Sequence, residues 1–160
     1  MAAGKRSQGF GALMFMDLDN FKPLNDQHGH AVGDLLLVRV AHRLKACVRA
    51  VDTVSRIGGD EFVVLLRDLT TDQVTAAEQA NRLAEKILVA LSQPYLLSAG
   101  KDARNIEHHC SASIGVVLFS QEHQNIEDLL KWADAAMYQS KAEGRNRITL
   151  MRERRAKQRI

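Results

Sequence analysis

Two adjacent glycines, Gly58 and Gly59, lie between the runs Val51–Ile57 and Glu61–Leu66, both of strand length. Glycine takes positive φ without steric cost, so a Gly-Gly pair between apolar runs predicts a tight antiparallel hairpin. Directly after the turn come Asp60 and Glu61, two carboxylates at the mouth of a strand whose other residues are apolar. Acids beside a backbone without side chains suit a cation and a phosphate. Taken alone, the commoner meaning is a hairpin with a charged, solvated tip. A second acidic strand end changes the balance. Ala12 to Leu18 is an apolar run of strand length that finishes in Asp17-Leu18-Asp19-Asn20-Phe21-Lys22.

The remaining elements are set by apolar spacing. Residues 20–28 predict a short helix, and Gly29 and Gly33 punctuate the stretch after it. Leu36, Leu37, Val40, Ala41, Leu44 and Val48 share one face of a helix over about 32–49. Thr70-x-x-Gln73 has the spacing of a capping box. The helix behind it carries Val74, Ala77, Ala84, Ile87, Leu88 and Leu91 on its core face, and Pro94 stops it. Strands are predicted over 95–99 and 106–119, around the polar turn Gly100-Lys101-Asp102. A helix over 126–141 comes next, with Gly144 as its C′ residue, then a last strand over 147–150. Strands and helices alternate, yet two hairpins argue against a purely parallel sheet. The expected class is α/β with a mixed sheet and helices on its faces.

At 160 residues the chain is one domain, with a mobile segment over 1–9, the domain over 10–150 and a basic tail or linker over 151–160. Its net charge of +3 is a property of that tail. Residues 152–160 hold five basic groups and one acid, so the rest of the chain carries about −1. A nucleic-acid footprint spread over the domain is therefore not expected. No apolar stretch reaches the ~20 residues of a membrane span, and no membrane contact is expected. Cys47, on a predicted helix, and Cys110, on a predicted strand, read as buried free thiols in a reducing compartment. His108-His109-Cys110 is no zinc site, because neighbouring strand residues point apart and a second ligand pair at metal spacing is missing. Trp132 and Tyr138 read as core or interface aromatics, and Met14, Met16 and Met137 as packing.

Four motifs stand in order between Ala12 and Arg147. They are Asp17-Leu18-Asp19-x-Phe21-Lys22, Asn25-Asp26-x-x-Gly29-His30-x-x-Gly33-Asp34, Gly58-Gly59-Asp60-Glu61-Phe62 and Ala133-Asp134-x-Ala136-Met137-Tyr138-x-x-Lys141-x-x-Gly144-Arg145-Asn146. Together they resemble the GGDEF family of diguanylate cyclases, whose name residues 58–62 spell. The resemblance implies a mostly antiparallel central sheet of about five strands, related to class III nucleotidyl cyclases and the polymerase palm. It implies a cytoplasmic enzyme that condenses two GTP into cyclic di-GMP and releases two pyrophosphates. Catalysis would need Mg²⁺ (or Mn²⁺) and a transient homodimer, with one GTP per subunit.

The resemblance also assigns roles residue by residue. Asp17, the carbonyl of Leu18, Asp60 and Glu61 would hold metal, and Asp60 is the candidate acceptor of the 3′-hydroxyl proton. Gly58 and Gly59 would let substrate approach the hairpin. Asn20, Phe21 and Lys22 open a helix whose free N–H groups favour phosphate, and Lys141 and Arg145 would contact the terminal phosphates. A cationic pair at a helix end is otherwise ordinary surface charge. Asn25 and Asp34 match guanine-reading positions, His30 a substrate contact. Asp19 and Asp26 read as structural, with Asp19 on the other side of the chain from Asp17. Arg49-x-x-Asp52, five residues ahead of Gly58, matches a product-inhibition site for cyclic di-GMP, where an ordinary surface ion pair is the bland alternative. The family's upstream motif Asp-x-Leu-Thr-x-Leu-x-Asn-Arg is missing. The chain thus reads as a piece of a longer protein bearing sensor or EAL domains, weakly active by itself. The rival function is a GTP- or cyclic di-GMP-binding regulatory module of a cyclase–phosphodiesterase fusion.

Overall fold

The computed structural model describes residues 9–98, 105–122 and 125–152. A five-stranded sheet is ordered β2-β3-β1-β6-β7, from β1 (Phe10–Leu18), β2 (Thr53–Gly58), β3 (Glu61–Leu66), β6 (Ala112–Ser120) and β7 (Arg147–Arg152). All neighbours pair antiparallel except β6 and β7, which run parallel. Parallel neighbours need a crossover, and helix α4 (Ile126–Ala142) supplies it. Helices α1 (Phe21–His28), α2 (His30–Cys47) and α3 (Gln73–Ser92) fill the other long connections, and β4 (Tyr95–Leu97) pairs with β5 (Ile106–His108) in a separate ribbon.

The central strands β1 and β6 are buried along nearly their whole length, which explains their near-continuous apolar sequence. Their side chains alternate between two cores. Ala12, Met14, Met16 and Leu18 join Leu36, Val40, Ala80, Ala84 and Ile87 of α2 and α3. Leu13 and Phe15 join Leu129, Ala133 and Met137 of α4. Asp17 is next in the second series, so the pleat itself aims it at α4. Two residues apart in an alternating chain means one shared side. Asp19 accordingly joins Asp17 toward α4 and its C-terminal turn, which corrects the expectation that it lies on the other side of the chain.

Helix α4 sits unusually low on the sheet. A Cβ placed on Gly115 of β6 would lie 2.2 Å from both Ala133 O and Met137 N. The Ser140 hydroxyl then reaches down to Ile114 O at 2.9 Å. This close approach sets the depth of the helix end that carries Lys141.

Several boundaries differ from expectation. Asp72, not Thr70, caps α3, its Oδ2 accepting from Thr75 N at 3.0 Å. A carboxylate meets a helix N-terminus better than a hydroxyl does. Val74 consequently falls in the solvent-facing first turn and is 59% exposed. The stretch 106–119 is two strands in two sheets, and Cys110 lies between them, buried, while Cys47 ends α2 half-buried. Trp132 packs against the α4 core, but Tyr138 is exposed. The strand β7 runs on to Arg152. Gly9 is buried and accepts from Gln121 N, so it belongs to the fold. Residues 1–8 of the expected mobile segment 1–9, the turn 100–102 and the tail beyond residue 152 lie outside the described residues. No helix among the described residues is long and apolar enough to cross a membrane.

Candidate active site

The two acidic clusters can meet only if their strands are neighbours, and they are. In the β1–β3 register Asp17 stands opposite Glu61, and Leu18 N donates to Asp60 O at 3.2 Å. The turn between β2 and β3 is closed by Arg56 Nε donating to Gly59 O at 2.9 Å. Gly59 has φ 49, and a Cβ on either turn glycine would meet nothing within 4 Å. The hairpin tip is thus open for a ligand to approach the backbone.

The charge balance here is unusual. Asp17 is buried, with Oδ2 accepting from Lys141 Nζ of α4, while its buried Oδ1 has no hydrogen-bond partner. Burial, then the neighbouring Asp17 carboxylate, pushes Asp60 up to about 7, against the pull of Lys141. Two carboxyls, those of Asp17 and Asp60, therefore share one lysine. Among the described residues no three acidic, His or Cys side chains form a closed metal cluster. Instead, hard oxygen donors stand on two strand ends, one of them orphaned and one reluctant to ionise. Such donors fit a divalent ion that keeps several waters and takes further oxygens from phosphate. Asp17, Leu18 O, Asp60 and Glu61 are the residues that would hold it.

Asp60 also makes stability depend on pH. Its folded pKa, about 7, lies above the ordinary 3.8, so between those values the folded state binds the proton that the unfolded state has lost. The contribution to stability is complete below pH 4 and disappears as pH rises through 7. Metal-free protein should therefore melt at a higher temperature at pH 5.5 than at pH 8. The slope from this one group is at most ~1.4 kcal/mol per pH unit, and less here because Asp60 is half open to solvent. Asp60→Asn should flatten that slope. Thermal melts of both proteins in chelator check it, and an unchanged slope in the variant would contradict the assignment.

Around the carboxylates opens a cleft of about 300 Å³ lined by Asp17, Leu18, Asn20, Phe21, Lys22, Pro23, Asp60, Lys141 and Arg145. One wall is the start of α1. Asn20 holds φ 64 and makes no side-chain cap, so the first-turn N–H groups remain available. The opposite wall is the end of α4, where Lys141 and Arg145 bring two cations to the same opening. A strand-end acid cluster, a helix N-terminus and a cation pair thus enclose one space.

The pattern of the family described as "Diguanylate cyclase, GGDEF domain" matches residues 1–147. The chain belongs to the GGDEF family. It is 47% identical over 135 residues to the bifunctional diguanylate cyclase/cyclic di-GMP phosphodiesterase MucR of Pseudomonas aeruginosa, covering 84% of this chain and 18% of MucR. The crystal structure of the GGDEF domain of TpbB (YfiN) from the same species superimposes with a TM-score of 0.77 at 36% identity, covering 91% of this chain and 84% of that one. The GGDEF domain of DgcB from Caulobacter crescentus, solved in complex with c-di-GMP, gives 0.74 at 27% identity, covering 88% and 77%. The chain spans less than a fifth of MucR, so its family is shown while its partners in the whole protein are not.

The remaining GGDEF motif residues stand around this cleft or apart from it. Asn25 on α1 has a buried Oδ1 with no hydrogen-bond partner. That oxygen lies where a Cβ on Gly33 would be, at 1.7 Å, so the glycine of the second motif exists to admit the amide. His30 and Asp34 are exposed in the first turns of α2, beyond the cleft lining. Arg49 and Asp52 stand away from the cleft and grip each other. Asp52 accepts from Arg49 N at 2.9 Å, Nε at 3.0 Å and Nη2 at 2.8 Å, and from Arg67 N at 3.4 Å. Burial opposes its ionisation, but these bonds prevail and hold it below the usual carboxylate range. The Arg49 side chain stays half exposed. Sequence patterns leave the partners of Asp19 unassigned; Ser111 and Ser113 carry no motif signature and only the β1–β6 register reveals them.

Proposed function

We propose that this domain condenses two GTP molecules into cyclic di-GMP. The observation that supports it best is one cleft lined by Asp17 and Asp60, the α1 N-terminus and Lys141 with Arg145, with Glu61 opposite Asp17 in the strand register. Phosphoryl-transfer chemistry requires charge neutralisation and in-line positioning, with little covalent work for the protein. The carboxylates would hold Mg²⁺ or Mn²⁺, which when bound supplies Lewis-acid stabilisation of the phosphate and lowers the pKa of the attacking hydroxyl. The open α1 turn receives phosphate oxygens. Lys141 and Arg145 offset the charge of the leaving pyrophosphate. Asn25 with Asp34 suits guanine, whose N1–H and N2–H donate and whose O6 accepts. His30, near Asp34 at the start of α2, adds a substrate contact. Asp60, whose raised pKa suits a proton acceptor near neutral pH, is the candidate to take the 3′-hydroxyl proton.

The product has two-fold symmetry and each domain would supply one GTP, so two copies must face each other. Incubation with GTP and Mg²⁺, followed by chromatography for cyclic di-GMP, tests the reading. Specific activity should rise with protein concentration. Absence of product at high concentration, with GTP still bound, would favour the regulatory-module reading, for which the bifunctional relative MucR provides a setting.

Feedback by product is the companion proposal. Arg49 presents a half-exposed planar fork suited to phosphate or to the O6/N7 edge of guanine. Asp52, whose side chain is 1% exposed, would have to exchange its charge-assisted bonds from Arg49 for guanine N–H groups, so that binding carries the cost of opening this ion pair. Arg49→Ala should lose cyclic di-GMP affinity by about tenfold or more with GTP affinity unchanged. Calorimetry with both nucleotides checks this, and parental dinucleotide binding in the variant would leave only a surface ion pair.

A further inference from the structure

The two walls of the cleft are remote in sequence, yet one buried carboxylate touches the base of both. Asp19 is 1% exposed and directly precedes Asn20, the residue that opens α1. Its backbone N–H donates to Ser111 O at 2.9 Å, which fixes the end of β1 to the start of β6. Its Oδ2 accepts from the Ser111 hydroxyl at 2.6 Å and from Asn146 N at 3.1 Å. Its Oδ1 accepts from the Ser113 hydroxyl at 2.8 Å, with Arg145 Nη1 at 3.9 Å.

The turn held by these contacts is not one the chain adopts freely. Gly144, Arg145 and Asn146 have φ of 123, 64 and 48 in succession. Two consecutive residues with side chains in the left-handed region persist only where surroundings compel them. Here the Asn146 N–H is pinned by Asp19 and the Arg145 N–H by Ser140 O at 2.9 Å. The guanidinium of Arg145 is attracted toward Asp19 without being consumed by it, and its side chain remains 55% exposed along the cleft.

We propose that Asp19 is a positioning residue for phosphate recognition, locking the 144–146 turn so that Arg145 faces the α1 opening. The proposal rests on the GTP reading of the cleft. An asparagine at this place keeps the shape but has one acceptor oxygen where the carboxylate has two, and it turns an N–H toward another donor.

The test compares the full chain with Asp19→Asn, measuring by calorimetry in Mg²⁺ the affinities for a non-hydrolysable GTP analogue and for GMP. The preference for triphosphate over monophosphate should fall on the order of tenfold, with GMP affinity unchanged. In an Arg145→Ala background the same change should add little, since both act through one group. Ser113→Ala, which removes a single donor and leaves the carboxylate in place, should shift the preference in the same direction by a smaller factor and serves where Asp19→Asn fails to fold. Full retention of the preference in both variants would make Asp19 a core acid only. An equal loss for GMP would mean general damage and overturn the proposal. A parent with no triphosphate preference would overturn the nucleotide reading itself.

Discussion

Asp60→Ala and Glu61→Ala should each lower the rate of cyclic di-GMP formation by ~10²–10³-fold or more, and neither should unfold the domain. For Asp60 the stability change has the unusual sign. Its carboxyl is pushed up to about 7 by burial and by Asp17, so at pH 8 it is ionised against its surroundings. Removing it should leave the metal-free melting temperature at pH 8 equal to or above that of the parent. Loss of function with gain of stability is the mark of a group placed for chemistry. Rates near parental in either variant, given an active parent, would remove these carboxylates from the metal site. A fall in melting temperature of Asp60→Ala at pH 8 would instead show that the carboxyl has favourable partners in the metal-free fold.

The second large effect is expected at Gly115. A methyl group there would meet Ala133 O and Met137 N at 2.2 Å, with Ala136 C at 2.8 Å. These are backbone atoms of a helix and cannot turn aside, so α4 would have to lift as a body. Overpacking of this kind typically costs ~1–3 kcal/mol, occasionally more, and Gly115→Ala belongs at or above the top of that range. Gly11 is the control. Its nearest obstacles are the tip of the Phe119 ring at 2.5 and 2.8 Å, with Leu66 O at 3.0 Å. A ring tip has freedom that a helix backbone lacks, so Gly11→Ala should cost clearly less. Denaturant midpoints decide the order, and an equal loss at both sites would refute the account of helix depth. Any folded Gly115→Ala should also bind GTP more weakly, because Lys141 and Arg145 rise with α4.

Much of this arrangement is readable from residue order. The hairpin at Gly58-Gly59 and the buried strand ending in Asp17 follow from local patterns, and the family resemblance places the cations. The structure adds relations that patterns of spacing cannot contain. Residues 106–119 look like one strand because apolar period two continues across Cys110, while the change of sheet depends on which strands they meet, β4 for 106–108 and β1 for 112–120. Val74 has the spacing of a core residue, but its position in the first turn beyond Asp72 exposes it. The tie between Asp19 and Ser111, Ser113 and Asn146 spans up to 127 residues, and Gly115 matters only because α4 lies on it. Both depend on which elements become neighbours, not on which residues are adjacent.

The crossover made by α4 also bears on when the cleft comes into being. Asp17 and its partner Lys141 are separated by 124 positions, and every strand of the main sheet but the last is made before α4 begins. During synthesis, a chain that has emerged only through β6 carries all three carboxylates without either cation of the opposite wall. On the GTP reading, such an intermediate would have the α1 wall but lack the cation pair that offsets the phosphate charge. On that reading the cleft would be completed only with the last helix and its left-handed turn, so that copies cut short before α4 would bind GTP more weakly than the whole domain.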